Sequence, residues 1–243
     1  MSNTIKSLLV LFFCTTFLYA QNNKEVSSEE LKAINNLQLM KDARISVKKA
    51  LDLGSIYILD TLIEGEHQQE LFLTKDKKVL ITGKAMNSTT GEYLSIPVDF
   101  SKIIGKEALT YGSGSDEYIL FTDPECPYCK KFEAYFPKIE KNVKIRVFFY
   151  PLSFHANARE LSLYYMSKKT NKDKIKAMLN VSANSEEFKN RKYADKEYKK
   201  LEEELNSQLV IAESLGIQAT PTLYSIKGNK VSWIEVLYKY NVK

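Results

Sequence analysis

The sequence predicts an α+β N-terminal unit followed by an α/β domain that carries a long helical insertion. Three observations predict this. Helical spacing of apolar residues before residue 41 gives way to strand-like texture from Ile56. An apolar run over residues 117–122 leads directly into a helix start at Pro127. A Lys/Glu-rich helical pattern then fills residues 156–216, before a hairpin closes the chain. The hydrophobic fraction of 44% over 243 residues supports packed cores and argues against disorder.

The N-terminus reads as a signal peptide over residues 1–20. Lys6 gives a positive start, Leu8 to Tyr19 is mostly apolar, and Ala20 precedes a polar stretch from Gln21. That run is too short to span a bilayer comfortably. Cys14 lies inside the segment expected to be removed. Loss of Lys6 takes the formal charge from +5 to +4. This mild excess is spread along the chain, and no basic cluster interleaved with aromatics points to nucleic acid.

From Ser27-Ser28-Glu29-Glu30 the pattern is that of a capped helix start, with Leu31, Ile34, Leu37 and Met40 at helical spacing. Ile56 to Ile63 reads as a strand, and 70–74 with 79–83 as a hairpin around Lys75-Asp76-Lys77-Lys78. Residues 24–97 therefore form a small unit with exposed sheet edges. Residues 98–116 read as a linker, partly helical at 101–109. From residue 117 onward the second domain begins. Cys129, Phe132 and Phe136 share one apolar helix face, Pro137 marks its end, and Val143 to Tyr150 is a second strand. Thr222 to Ile226 and Lys230 to Glu235 make the final hairpin, leaving any helix after it short or missing.

After removal of the first twenty residues two cysteines remain, Cys126 and Cys129. An exported chain meets an oxidising compartment, where structural disulfides are common. A bridge over this spacing would close almost no loop, so little stability would follow from it. The spacing favours a reactive pair. Cys126 falls at the helix start, where unpaired N–H groups favour a thiolate, and is expected to be the exposed nucleophile. Lys130 and Lys131 should assist it, and Asp123 and Glu125 should oppose it. Cys129, one turn further in, is expected to be shielded and to resolve a mixed disulfide. Pro127 and Tyr128, between the sulfurs, tune the thiolate. A zinc site fits poorly, because it needs about four ligands. His67 and His155 are the only histidines, and neither has metal-like spacing.

The segment from Phe121 through Asp123-Pro124-Glu125-Cys126-Pro127-Tyr128-Cys129 to Lys130 resembles the active-site segment of the thioredoxin superfamily, in its periplasmic DsbC/DsbG-type branch. Ala219-Thr220-Pro221-Thr222, after Gly216-Ile217, resembles that branch's cis-proline loop. The interval of 92 positions from Cys129 to Pro221 matches its helical insertion, and the N-terminal unit resembles its dimerisation domain. Leu120 stands where thioredoxin carries a buried acid, which speaks against internal proton transfer.

The resemblance implies a thioredoxin-like catalytic domain over residues 117–243, a V-shaped homodimer joined through residues 24–97, and a cis Thr220–Pro221 bond. It implies a periplasmic protein-disulfide isomerase or reductase acting on misoxidised secreted proteins. Cys126 and Cys129 would be catalytic and would need no cofactor. An inner-membrane reductant of the DsbD type would keep Cys126 reduced. Two other readings stay open: a monomeric dithiol oxidase that donates its own disulfide, and a redox-independent holdase chaperone.

Overall fold

The structure, a computed structural model, describes residues 24–88 and 93–242. The signal-peptide expectation for residues 1–20 lies outside the described residues. The fold is an N-terminal β/α unit followed by an α/β domain with helical insertions.

The N-terminal unit is a five-stranded antiparallel sheet in chain order. Its strands are β1 (Lys24–Glu25), β2 (Ile45–Asp52), β3 (Ile56–Ile63), β4 (His67–Thr74) and β5 (Leu80–Ile81). Helices α1 (Ser28–Asn35) and α2 (Gln38–Asp42) connect β1 to β2. The Ser27 hydroxyl caps α1 by accepting the Glu30 N–H at 3.2 Å. Ile34 and Met40 are fully buried against Val47, Tyr57, Leu59, Leu71 and Leu73. Tyr57 pairs with Leu73 and Leu59 with Leu71, so alternate residues of two neighbouring strands form one apolar face beneath the helices. Strand β2 lacks this clean alternation. A bulge between Val47 and Lys49 places an extra residue in it, which breaks the two-residue period and hides the strand in the sequence.

The second sheet has the order β10-β9-β7-β8-β6. Its strands are β6 (Leu109–Tyr111), β7 (Asp116–Thr122), β8 (Val143–Phe149), β9 (Thr222–Ser225) and β10 (Lys230–Val231). β7 and β8 run parallel, joined by α3 (Pro127–Glu133) and α4 (Phe136–Ile139). The remaining pairs are antiparallel. The insertion between β8 and β9 comprises α5 (Ala158–Met166), α6 (Asn171–Asn180), α7 (Glu186–Lys189) and α8 (Asp195–Ser214). β7 is buried on both faces. Tyr118 and Leu120 meet Phe132, Phe136 and the insertion, while Ile119 and Phe121 meet Ile211, Ala212 and Phe100. That two-sided burial explains its continuous apolar run.

Four expectations need correction. Residues 98–116 are more than a linker: Leu109 pairs with Val147, so β6 is an edge strand of the second sheet. Residues 101–105 form a turn and not a helix. Pro137 lies within α4, whose ring occupies a first-turn position where no amide N–H is needed. The final hairpin stops at Val231, because Ser232 caps a terminal helix α9 (Trp233–Lys239) through a capping box with Glu235. The Trp233 ring packs at 5.8 Å from Phe132, on α3.

The segment 95–98 joins the two units. The Ile96 N–H donates to the Glu70 carboxylate at 2.7 Å, and the Val98 N–H donates to the Gly228 carbonyl at 3.0 Å. Gly228 has φ of +90°, and a Cβ there would lie 2.3 Å from the Val98 carbonyl oxygen. Gly228→Ala is therefore expected to cost about 2 kcal/mol or more, through both the left-handed backbone and the backbone clash. Urea denaturation of the variant beside the parent chain measures this.

Candidate functional site

The site forms where β7 ends. The antiparallel register pairs Phe121 with Thr222, so the residues preceding β9 run past the segment that follows β7. Thr220 is thereby brought to Cys126 across 94 positions of sequence, and the Cys126 thiol donates to the Thr220 carbonyl at 3.3 Å. The Thr220–Pro221 peptide is cis. Pro221 has no N–H, so nothing on that residue competes for the sulfur.

Asp123-Pro124-Glu125 turns the chain from strand to helix. The Asp123 carboxylate accepts the Glu125 N–H at 2.7 Å and the Cys126 N–H at 3.1 Å. Cys126 is the N-cap of α3, and Pro127 occupies the first turn. The Lys130 N–H closes the first helical bond to the Cys126 carbonyl at 3.0 Å. Cys129 follows one turn later on the inward face.

Both thiols are free. Cys129 is 0% exposed, as the sequence predicts, but Cys126 is only 5% exposed. The expectation of an exposed nucleophile is corrected: the proline loop covers the sulfur that the helix start would otherwise present. Pro127 and Tyr128, the latter at 66%, are the residues of the motif that meet solvent. Burial pushes the Cys129 thiol well above its ordinary range. The Thr122 hydroxyl, the Asp123 N–H and the Thr220 hydroxyl oppose that shift. The Asp123 N–H lies 3.5 Å from the Cys129 sulfur. The Thr220 hydroxyl is buried without a hydrogen-bond partner, so it is available to a sulfur anion.

Behind Cys129 lies an acid that sequence reasoning missed. Glu133 is buried on the inward face of α3. It accepts the Thr122 hydroxyl at 2.8 Å and the Lys130 ammonium at 2.8 Å. Burial raises its pKa, against the opposing pull of Lys130 and the Thr122 hydroxyl. Thr122 thus touches both Glu133 and the surroundings of Cys129. A signal was present: an acid four residues after Cys129 falls on the same helix face as the apolar positions. Lys130 also donates to the Met178 carbonyl at 2.7 Å. It is committed to Glu133 and the insertion, and so does not serve Cys126 as expected.

The segment 151–157 borders the site. The Leu152 N–H donates to Asp123 at 2.6 Å, and His155 Nδ1 lies 2.9 Å from the same oxygen. Glu125 accepts the Asn157 N–H at 2.6 Å and its side-chain amide at 3.0 Å. Phe154, between these ties, is 76% exposed. Among the described residues no group of three or more His, Cys, Asp or Glu side chains is placed to hold a metal ion.

A thioredoxin-type sheet with a Cys-Pro-Tyr-Cys turn against a cis-proline loop defines the class of this protein. A family model described as a thioredoxin-like domain matches residues 109–237, more than half of the chain. The chain belongs to that family. No curated protein matches it. Among solved structures it is similar to Pseudomonas aeruginosa DsbA2, with 20% identity and a TM-score of 0.41, over 57% of this chain and 87% of that one. The catalytic domain of Proteus mirabilis ScsC matches with 20% identity and a TM-score of 0.43, over 59% of this chain and 93% of that one. Helicobacter pylori DsbG matches with 15% identity and a TM-score of 0.40, over 81% of this chain and 99% of that one.

Proposed function

We propose that this chain is a periplasmic protein thiol–disulfide oxidoreductase that isomerises or reduces disulfides in misoxidised client proteins. The observation that carries the reading is the Cys126 sulfur at 3.3 Å from the Thr220 carbonyl, beside a cis Pro221, with Cys129 buried one turn behind.

In the proposed reaction the Cys126 thiolate attacks one sulfur of a client disulfide. The client S–S bond breaks, a Cys126–client disulfide forms, and the second client sulfur leaves as a thiolate that takes up a proton. The client backbone can pair as an extended strand with the proline loop. Pro127 and Tyr128 separate the two sulfurs and shape the approach. Isomerisation follows when another client thiolate attacks the mixed disulfide and frees Cys126. Reduction follows when Cys129 attacks Cys126, releasing the client thiolate and leaving a Cys126–Cys129 disulfide. A DsbD-type inner-membrane dithiol then supplies the two electrons that restore both thiols.

Resolution requires Cys129 to lose a proton from a site that burial makes hostile to its anion. Glu133 is the proposed acceptor, through the Thr122 hydroxyl that already donates to it. Transfer leaves Glu133 neutral beside the Lys130 ammonium and puts the negative charge on the Cys129 sulfur, which uses it in attacking Cys126.

The N-terminal unit is the proposed homodimer interface. Strand β4 has eight residues, yet β5 pairs only with Phe72 and Leu73. The outer edge of residues 67–71 therefore meets no strand among the described residues, and a symmetric copy could pair there. The opposite edge is less open, since the Asn35 side chain bonds both the N–H and the carbonyl of Val47. Two facing redox domains would hold a client for repeated attack.

Sedimentation at micromolar concentration is expected to give a dimer, and that dimer should reactivate scrambled ribonuclease. A monomer that instead oxidises reduced ribonuclease would move the reading to a dithiol oxidase. Full suppression of client aggregation by the Cys126→Ser, Cys129→Ser double variant, with no exchange by the parent chain, would move it to a holdase.

A further inference from the structure

We infer that Asp123 is a positioning residue that biases the Cys126/Cys129 couple toward its disulfide form. This inference rests on the thiol–disulfide reading above. The residue touches both ends of the couple with opposite electrostatic sign. Its backbone N–H lies 3.5 Å from the Cys129 sulfur, a contact that favours an anion there. Its carboxylate accepts the Cys126 N–H at 3.1 Å and the Glu125 N–H at 2.7 Å. A negative charge thus already occupies the backbone donors that could otherwise face the Cys126 thiolate. The side chain is 0% exposed, so solvent screens that charge poorly.

The placement is built from both sides. The second carboxylate oxygen accepts the Leu152 N–H at 2.6 Å and lies 2.9 Å from His155 Nδ1. Four nitrogens therefore hold one carboxylate between the active-site turn and residues 152–155. The strap also fixes where the exposed Phe154 ring stands relative to the buried Cys126. Simple capping would need only one oxygen and no charge, which an asparagine supplies equally well. The added property of the acid is its charge.

The direction follows from the redox balance. Two protein thiols transfer two electrons and two protons to glutathione disulfide, giving the Cys126–Cys129 disulfide and two glutathione thiols. A fixed negative charge raises the free energy of a Cys126 thiolate and leaves the neutral disulfide almost untouched. It therefore favours the disulfide, since stabilising the reduced form is what makes such couples oxidising.

The test equilibrates the full chain with glutathione buffers and reads the disulfide fraction by alkylation and mass. Asp123→Asn is expected to shift the equilibrium about tenfold toward the dithiol, the effect of one nearby charge on a sulfur anion. The same variant should alkylate at Cys126 several-fold faster at mildly acidic pH, about in proportion to the charge removed. Asparagine would set its amide against the Leu152 N–H, so this variant could fold poorly. His155→Ala then carries the test. It removes a partner that compensates the carboxylate, and is expected to move the equilibrium about threefold the other way, toward the disulfide. A parent chain that exchanges with glutathione while neither folded variant shifts the constant by twofold overturns the Asp123 assignment alone. A parent chain that exchanges nothing with glutathione overturns the thiol–disulfide reading together with it.

Discussion

Cys129→Ser is expected to accumulate client proteins as stable mixed disulfides on Cys126, while Cys126→Ser loses exchange activity by about 10³-fold or more. The asymmetry follows from geometry. The Cys126 sulfur lies against the Thr220 carbonyl of the proline loop, where a client strand would pair. Cys129 is fully enclosed, so no client disulfide reaches it directly. Without Cys129 the first step proceeds, and the internal route that breaks the mixed disulfide is gone. Non-reducing electrophoresis of the two variants incubated with an oxidised client measures the outcome. Adducts on the Cys126→Ser variant, and none on Cys129→Ser, would reverse the assigned roles.

Glu133→Gln should slow the resolving step by about 10²-fold, in the range of a lost general base. The variant keeps a hydrogen-bonding side chain of similar shape, so Thr122 and Lys130 retain a partner. Lys130 also keeps the Met178 carbonyl. What is lost is a site for the Cys129 proton. Single-turnover release of a client from a preformed Cys126 adduct isolates this step. The loss should diminish as pH rises, because hydroxide then removes the proton directly. A release rate within twofold of the parent would exclude Glu133 as the acceptor.

Stability should change with opposite pH sensitivity. Burial raises the pKa of Glu133 above its ordinary 4.5, so the folded chain holds this proton to higher pH than the unfolded chain. The contribution to stability is fully present below the unfolded value and is lost as pH rises through the folded one. The neutral amide of the Glu133→Gln variant carries no such penalty. Denaturation midpoints should therefore move in favour of Glu133→Gln as pH increases from mildly acidic to alkaline.

Much of the site was legible locally. The apolar run of β7, the proline at the start of α3 and the spacing of Cys126 and Cys129 are near-neighbour features. Strand burial, helix initiation and thiol placement each depend on a few consecutive residues. The capped start of α1 and the burial of Ile34 and Met40 were legible for the same reason. Strand β2 was not, because one bulge removed its two-residue period. Strand β6 was not, because three residues carry too little pattern to distinguish an edge strand from a connector.

The sequence by itself determined the two-unit layout, the placement of Cys126 and Cys129 at a helix start and which cysteine lies deeper. Only the tertiary structure decided how charge is arranged around that pair. Read locally, Lys130 is a cation near Cys126 and Asp123 merely an opposing anion. In the fold, Lys130 is turned toward Glu133 and Met178, and Asp123 binds residues on either side of the site. Cys126 is covered for the same reason: the β7–β9 register sets Thr220 above it. These contacts join residues up to 94 positions apart. Their electrostatic effect depends on distance and burial in space, and neither follows from spacing along the chain.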